Sequence, residues 1–122
     1  MTPRPDPEVR AGLVFEALAD PTRRAVLRQV AERGPRTATE LAADLPVSRQ
    51  AVAKHLGVLH DAGLVSSARE GREMRFTARL EPLTDTQAWL AATGAAWDRR
   101  LARLEALAAA DHEPGEGPTA RR

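Results

Sequence analysis

VSRQAVAKHLGVLHDAGLV, residues 47–65, separates into two contrasting faces when it is placed on a helical wheel. The apolar face consists of Val52, Leu56 and Leu59, flanked by Ala51, Val58 and Ala62. The opposite row, at the i, i+3, i+4, i+7 spacing, consists of Gln50, Ala53, Lys54 and Gly57. Ser48 is a favourable N-cap, and Gly63 suits the left-handed residue that follows a helix. The sequence therefore predicts an amphipathic helix between Ser48 and Gly63.

The polar row of this helix is slim. A solvated helix face usually carries Glu, Lys or Arg, whereas here an amide and one cation lie beside Ala53 and Gly57. Small residues allow a close approach to a large partner, so we interpret this helix as one that enters the major groove of DNA. Base edges would then be met by Gln50, and by Lys54 unless Lys54 binds phosphate. We expect Ser48 and Arg49, at the helix N-terminus, to hold phosphate.

Length and composition limit the class of protein. The chain has 122 residues, 43% of them hydrophobic, which suits one small globular domain. It has no cysteine, which removes disulfides and thiolate metal ligands. No apolar run approaches the length of a membrane span, and no signal peptide precedes the first charges, so we expect a cytoplasmic protein without a membrane partner.

The distribution of charge is more informative than the net charge of +1. Basic and acidic residues cancel up to Val47, whereas from Ser48 to Arg79 six basic residues face three acidic ones. From Leu80 onward acidic residues are in excess. A random fluctuation of a few charges would explain the same numbers, but the excess lies where the proposed helix would meet a phosphate backbone.

Three shorter helical segments precede residue 47. We expect the first from Glu8 to Leu18, and a second from Pro21 to about Arg33 with Asp20 as N-cap. Thr37-Ala-Thr-Glu40 fits a capping box, which predicts a third helix ending at Leu45. This helix and the next, joined by a tight turn at Pro46, form a helix-turn-helix. Residues 1–7 and 111–122 are rich in proline, glycine or charge, so we expect disordered tails around a domain at 8–110.

After Gly63 the pattern changes to that of a β-hairpin. Residues 64–69 and 74–77 are predicted strands, with a tight turn at Glu70-Gly71. Behind a helix-turn-helix, such a ribbon is a wing, and its guanidinium groups would reach phosphates or a minor groove. In isolation, ordinary solubilising charges explain it equally well. The arginines concerned are Arg69, Arg72 and Arg75.

The last helix is predicted from near Pro82 to Ala110. It carries apolar residues at seven-residue intervals, at Leu83, Leu90, Trp97 and Leu104. Such a stripe must be buried on something, either on a second copy across a two-fold axis or, in the competing account, on the same chain folded back. The expected dimer contacts of this helix are those of Leu83, Leu90, Trp97, Leu101 and Leu104. Val9 and Leu13 of the first helix join this interface only on the family resemblance given next.

Three ordered motifs together resemble the ArsR/SmtB family of winged-helix transcriptional repressors. They are ALADPTRRAVLRQV at 17–30, TELAADLPVSRQAVAKHLGVLHDAGLV at 39–65 and REGREMRF at 69–76. The resemblance covers about 8–110 and implies a mainly α fold of about five helices with a two-stranded wing. It also implies homodimers built on the first and last helices that bind palindromic operators, often of their own operon. It assigns the Ser48 helix to recognition and the hairpin to the wing.

The chain departs from the metal-sensing members of that family. Where they carry a Cys-x-Cys pair, this sequence has Thr37 and Thr39, and hydroxyls are poor ligands for soft metals. Others bind zinc through Asp and His on the last helix, but no pair of histidines lies there at ligand spacing, only Asp85, Asp98, Asp111 and His112. His55 falls on the apolar side of its helix, as a partly buried histidine would, and we expect His60 to be exposed. We predict no metal and no cofactor.

Other classes of function stay open to different degrees. The sequence contains no nucleophile–base pair, glycine-rich phosphate loop or metal-ligand cluster, so we predict that it is not an enzyme. A winged helix used for protein–protein contacts is an alternative, with the positive segment meeting an acidic partner. A repressor that responds to a small molecule between the first and last helices is a further one, and no residue identifies that ligand.

Overall fold

The computed structural model describes residues 4–111, which contain five helices and three strands. In chain order these are α1 (Pro7–Leu18), α2 (Pro21–Arg33), β1 (Arg36–Thr37), α3 (Ala38–Asp44), α4 (Arg49–Asp61), β2 (Val65–Glu70), β3 (Glu73–Ala78) and α5 (Glu81–Asp111). Residues up to Trp89 form one compact unit, and the residues from Leu90 onward form a second. In the part of the chain that the structure describes, no helix is long and apolar enough to cross a membrane.

Side-chain caps fix where the helices begin. The Asp20 carboxylate accepts a hydrogen bond from the Arg23 backbone N–H at 3.0 Å, and the Ser48 hydroxyl accepts one from the Ala51 N–H at 3.1 Å. Thr37 and Glu40 form both bonds of the predicted capping box. These three predicted helix starts are therefore confirmed.

The first helix begins slightly earlier than its apolar pattern indicated. It starts at Pro7, and the carboxylate of Asp6 accepts the Val9 N–H at 3.0 Å. The proline-rich composition of residues 1–7 predicts a tail that includes Asp6 and Pro7. This prediction is wrong for these two residues, because a proline in the first helical turn loses no hydrogen bond. Of the other residues in the predicted tails, 1–3 and 112–122 lie outside the described residues, Arg4 and Pro5 precede α1, and Asp111 is the last residue of the final helix.

The apolar face of α4 forms the centre of the core. Val52, Leu56 and Leu59 are almost completely buried, as predicted. They belong to one cluster with side chains of the preceding helices and of the segment that enters β2, namely Val26, Val30, Leu41 and Leu64. Burial of this face of α4 leaves the opposite row in solvent.

The hairpin belongs to a three-stranded sheet of order β1-β3-β2. The prediction of a two-stranded wing is therefore incomplete, because β1 adds two residues that pair with Phe76 and Arg75 of β3. The turn also lies one residue later than predicted. Glu70 pairs with Glu73, so the loop is Gly71-Arg72, with Gly71 at a φ of 63°. A glycine at the first loop position with positive φ is what a type II′ hairpin turn requires.

The first turns of α5 belong to the N-terminal unit. Leu83 packs against the core, and Thr86 is buried. Leu83, predicted to lie in the dimer interface, is thus partly covered by its own domain, and its contact with a second copy stays a prediction. A seven-residue repeat identifies an apolar stripe but not which neighbour buries each part of it.

Candidate nucleic-acid interface

The outward row of α4 is available to a partner along its whole length. Gln50, Ala53, Lys54 and Gly57 are all exposed, as are Ser48 and Arg49 before them. A Cβ added at Gly57 would meet no atom within 4 Å, so the glycine is not required by packing inside this chain. Apart from the Gln50 amide and the Lys54 ammonium, this row carries only Ala53 and Gly57, so a large partner could approach the helix closely.

Two hydrogen-bonded contacts hold α4 against its neighbours. At its N-terminus, the Arg49 Nε donates to the Thr39 hydroxyl of α3 at 3.0 Å. Near its middle, the Nδ1 of the half-buried His55 lies 3.4 Å from an Nη of Arg23. Since arginine only donates, this geometry requires His55 to accept at Nδ1. The expectation of a partly buried His55 is confirmed, and His60 is exposed.

Arg23 also anchors the end of α1. Its Nε donates to the Ala17 carbonyl at 2.7 Å, and its second Nη donates to the Glu16 carbonyl at 3.1 Å. One guanidinium therefore satisfies carbonyls that the helix leaves unpaired at its C-terminus and contacts α4 as well. Sequence reasoning missed this role, since an arginine in an amphipathic helix gives no indication of its tertiary partner.

The three wing arginines differ in their surroundings. Arg69 and Arg72 are exposed, and neither forms an ion pair with any residue in the described range 4–111. Arg75 is half-buried, and its Nε donates to a Glu70 oxygen at 2.6 Å while one Nη lies 3.4 Å from a Glu40 oxygen. The expected phosphate contact is thus supported geometrically for two of the three.

The same contacts shift the ionisation of these groups. The backbone N–H of Thr37 lowers the pKa of Glu40, and the Arg75 charge lowers it further. The hydrogen bond and charge of Glu70 raise the pKa of Arg75 above its usual range. Glu40 and Arg75 therefore both carry their charges near neutral pH.

A helix-turn-helix domain is also found in relatives of this chain. A family model described as a helix-turn-helix domain matches residues 18–68. The Bacillus subtilis protein YuzN, an uncharacterised helix-turn-helix transcriptional regulator, is 46% identical over 76 residues, which are 57% of this chain and 83% of YuzN. A probable mercury resistance operon repressor from Streptomyces lividans is 37% identical, over 84% of this chain and 77% of the relative.

A solved structure extends the likeness to nearly the whole fold. An ArsR-like transcriptional regulator from Rhodococcus sp. RHA1 is 44% identical with a TM-score of 0.73, over 83% of this chain and 94% of that chain. This chain belongs to the ArsR family. It is a transcriptional regulator with a winged helix-turn-helix DNA-binding domain, and the prediction that it is not an enzyme is confirmed by that membership.

Thr37 and Thr39 of this ArsR-family chain, discussed above in place of a metal-binding Cys-x-Cys pair, both form hydrogen bonds within the fold. Thr37 is buried as the N-cap of α3, and Thr39 accepts the bond from Arg49. Asp85 lies 3.6 Å from the Arg4 guanidinium. Within residues 4–111 no group of three or more His, Asp or Glu side chains is placed to hold a metal, whereas His112 lies outside that range.

The remaining predicted dimer residues of the ArsR-family chain are exposed. On α1, Val9 and Leu13 lie in solvent together with Phe15, whose ring packs edge-on against Trp89 at 6.3 Å. In the C-terminal unit, the exposed side chains include Trp97 (55%), with the Arg100 guanidinium 4.9 Å from its ring centroid. The others in that unit are Leu90, Leu101, Leu104 and Leu107.

Proposed function

We propose that this protein is a homodimeric repressor that binds an inverted-repeat operator through α4 and the wing. The observation that carries the proposal is the slim exposed row Gln50, Ala53, Lys54 and Gly57 on a helix whose other face is buried. An α-helix lies deep in the major groove when the side chains on its outward face are small. A Gln amide there is able to form two hydrogen bonds to an adenine, at N6 and N7. As a DNA-binding regulator it would act in the cytoplasm.

Electrostatics supports the same surface. Arg49, Lys54, Arg69 and Arg72 are exposed on α4 and the wing, and no carboxylate of the described residues forms an ion pair with any of them. Cations without an internal counter-ion gain most from phosphate, because binding releases condensed counterions from the DNA.

A second copy of the chain is the occupant that best explains the exposed apolar stripe of α5. Five large apolar side chains between Leu90 and Leu107 are about half exposed or more. Exposed apolar patches of this kind mark interaction surfaces, and a self-complementary stripe leads to a two-fold pair. Two α4 helices in such a pair would enter successive major grooves about 34 Å apart, so the operator would be an inverted repeat.

Repression is supported by the relative from Streptomyces lividans, a probable mercury resistance operon repressor. We do not extend mercury sensing to this chain, because soft metals select thiolate and the sequence contains no cysteine. An operator that overlaps its own promoter would make the repression autoregulatory.

Selection of bound duplexes from a random pool tests the proposal, with sedimentation equilibrium on the same preparation. We expect an enriched inverted repeat and a dimer at micromolar concentration. Gln50→Ala should relax the preference at one base pair of each half-site, while Glu32→Ala, an exposed change on α2 away from α4, the wing and the apolar stripe, should retain the full preference. A protein that enriches no sequence and protects no duplex at physiological salt is not this regulator, and a protein–protein role for the winged helix would replace it.

A second candidate function, response to a small molecule, is supported by one cavity in the N-terminal unit. It measures about 200 Å³ and lies between α1, the end of α4 and the start of α5, with Arg10, Leu13, Ala62 and Pro82 in its lining. The Nε of Arg10 is enclosed and has no hydrogen-bond partner among the described residues. A buried donor without an acceptor is costly, and Asp61 and Asp85 also line the cavity, so a small uncharged molecule with an apolar body and a carbonyl oxygen fits it.

Benzamide, an uncharged ring with a carbonyl oxygen, is a suitable probe for that cavity. We expect it to raise the thermal midpoint of the wild type in proportion to occupancy and to leave Arg10→Met unchanged. An equal response of the two proteins would exclude the Arg10 cavity as the site.

A further inference from the structure

One arginine of the wing connects the hairpin to the helix-turn-helix. The Arg75 guanidinium donates from Nε to Glu70 on β2 at 2.6 Å and lies 3.4 Å, through Nη1, from Glu40 on α3. The same Nη1 is 3.5 Å from the Pro35 carbonyl, which precedes β1. A single side chain therefore contacts both strands of the hairpin and the helix that supports α4.

Arg75 occupies the position where the sheet narrows. β1 pairs with β3 only at Phe76 and Arg75, whereas β2 pairs with β3 up to Glu70 and Glu73. Residues 69–74 are thus a two-stranded ribbon that extends beyond the three-stranded part. Because a two-stranded ribbon is marginally stable by itself, the direction of the wing depends on what holds its base.

The partner of Arg75 on α3 is itself fixed. The Glu40 oxygen that faces Arg75 also accepts the Thr37 N–H at 3.0 Å, the reciprocal bond of the capping box. Thr37 in turn pairs with Arg75 through the backbone of β1 and β3. Cap, strand and ion pair therefore form one connected unit at the base of the wing.

We propose that Arg75 is a positioning residue that sets the direction of the wing, and that the wing meets phosphate through Arg69 and Arg72. This inference rests on the proposed function, and it reassigns one of the three arginines that the sequence grouped together. A guanidinium with two carboxylate partners gains less from a phosphate than an unpaired one, because binding exchanges one counter-ion for another.

A measurement without DNA tests the positioning directly. The chain has no cysteine, so spin labels at Ala43→Cys on α3 and Arg69→Cys on the wing are the only thiol-linked probes. Both positions are exposed, and dilution with unlabelled protein removes distances between copies. We expect Arg75→Gln to broaden the distance distribution, and Arg72→Gln, the matched control at the tip, to leave it unchanged. An unchanged distribution in Arg75→Gln overturns the proposal whether or not the protein binds DNA.

A second measurement uses the duplex selected from the random pool. Since each phosphate contact contributes about 0.9, loss of one from each subunit of the homodimer lowers the slope of log K against log salt by about 1.8. We therefore expect Arg72→Gln to lower the slope by that amount. Arg75→Gln should weaken binding by about twofold to fivefold, the effect of an exposed ion pair, with the slope unchanged. A fall of about 1.8 in the slope of Arg75→Gln would make Arg75 a phosphate ligand and overturn the proposal.

The Glu40→Gln variant tests whether Glu40 acts through its ion pair with Arg75 or only by repelling DNA with its negative charge. Glutamine preserves the capping box but removes the charge that faces Arg75. We expect Glu40→Gln to broaden the spin-label distribution in the wild-type background and to add nothing in Arg75→Gln. Additive effects in the two backgrounds would contradict the shared role. Arg75→Lys, which keeps the charge, should fall between wild type and Arg75→Gln and provides a folded variant if glutamine is not tolerated.

Discussion

Arg49, the first residue of α4, donates from Nε to the Thr39 hydroxyl on α3 at 3.0 Å. The two helices of the helix-turn-helix are thereby joined at the ends that would face a DNA backbone. The contact uses one nitrogen of the guanidinium, and the Nη groups have no hydrogen-bond partner among residues 4–111. Arg49 is thus oriented by protein while its outer edge stays available to phosphate.

This orientation predicts different effects for three variants. Arg49→Ala removes a phosphate contact from each subunit, so the salt slope of duplex binding by the dimer should fall by about 1.8. Thr39→Val removes the orienting bond only, and Arg49→Lys keeps the charge without Nε, so both should weaken binding with the slope intact. Fluorescence anisotropy titrations across a salt series measure these quantities. A reduced slope in Thr39→Val would contradict the separation of the two roles.

Gln50 should determine sequence preference. It is exposed at the second position of α4, and its amide is able to form two hydrogen bonds to an adenine. Gln50→Ala should lose about 1–3 kcal/mol of discrimination at one base pair of each half-site while binding to random duplex changes little. Competition between the selected operator and its single-base variants measures the loss. Retention of the full preference would assign base recognition to another residue, with Lys54 the next candidate.

Much of the fold was predictable from short-range chemistry. Asp20, Thr37 and Ser48 begin helices because each side chain satisfies a backbone N–H three residues later, a relationship that the sequence contains in full. The apolar face of α4 was equally accessible because one helix period determines it.

The features that escaped prediction depend on distant residues. β1 has only two residues and exists through its pairing with β3, some forty positions later. The ion pair of Arg75 with Glu40 requires that same strand pairing. The sequence alone therefore does not distinguish Arg75 from Arg69 and Arg72, and it predicts all three as wing contacts to DNA. The hairpin turn was predicted one residue too early because Gly71 fits either position of a two-residue loop. The pairing of Glu70 with Glu73 makes Gly71 the first loop residue.

Gly57 offers a matched pair of variants for the groove-facing row. The added Cβ of Gly57→Ala meets nothing within 4 Å, so the free energy of unfolding should rise by about 0.5–1 kcal/mol. Gly57→Glu should fold as well but lose DNA binding, because a long anionic side chain would face the groove. Urea denaturation and a mobility-shift titration measure the two effects. Wild-type DNA affinity in a folded Gly57→Glu protein would exclude this row as the DNA-binding face.

Trp97 and Leu83 should respond differently to truncation although they share one heptad stripe. Trp97 is 55% exposed, so Trp97→Ala should leave the single subunit folded and weaken dimerisation by about 2 kcal/mol or more, the size of an interface hot spot. Leu83 packs against the core, so Leu83→Ala should lower the free energy of unfolding by about 1–2 kcal/mol, less than a fully buried leucine. Sedimentation equilibrium and urea denaturation measure the two effects. Unchanged dimerisation in Trp97→Ala would direct the search for the interface to α1.

Stability should decline in acid, and Asp20 should account for part of the decline. The Arg23 N–H holds the pKa of Asp20 below 3.8, and the Thr37 N–H holds that of Glu40 below 4.5. The unfolded chain therefore binds more protons below about pH 5, and the stabilisation present above that pH is lost as the pH falls through the folded-state values.

Asp20→Asn keeps an N-cap without a titrating group, so its free energy of unfolding should fall less between pH 6 and pH 3 than that of the wild type. Asp20→Ser, a second neutral cap, should show the same flattened profile in urea denaturation at fixed protein concentration. A wild-type acid profile in both variants would assign the decline to other carboxylates, with Glu40→Gln the next variant to measure.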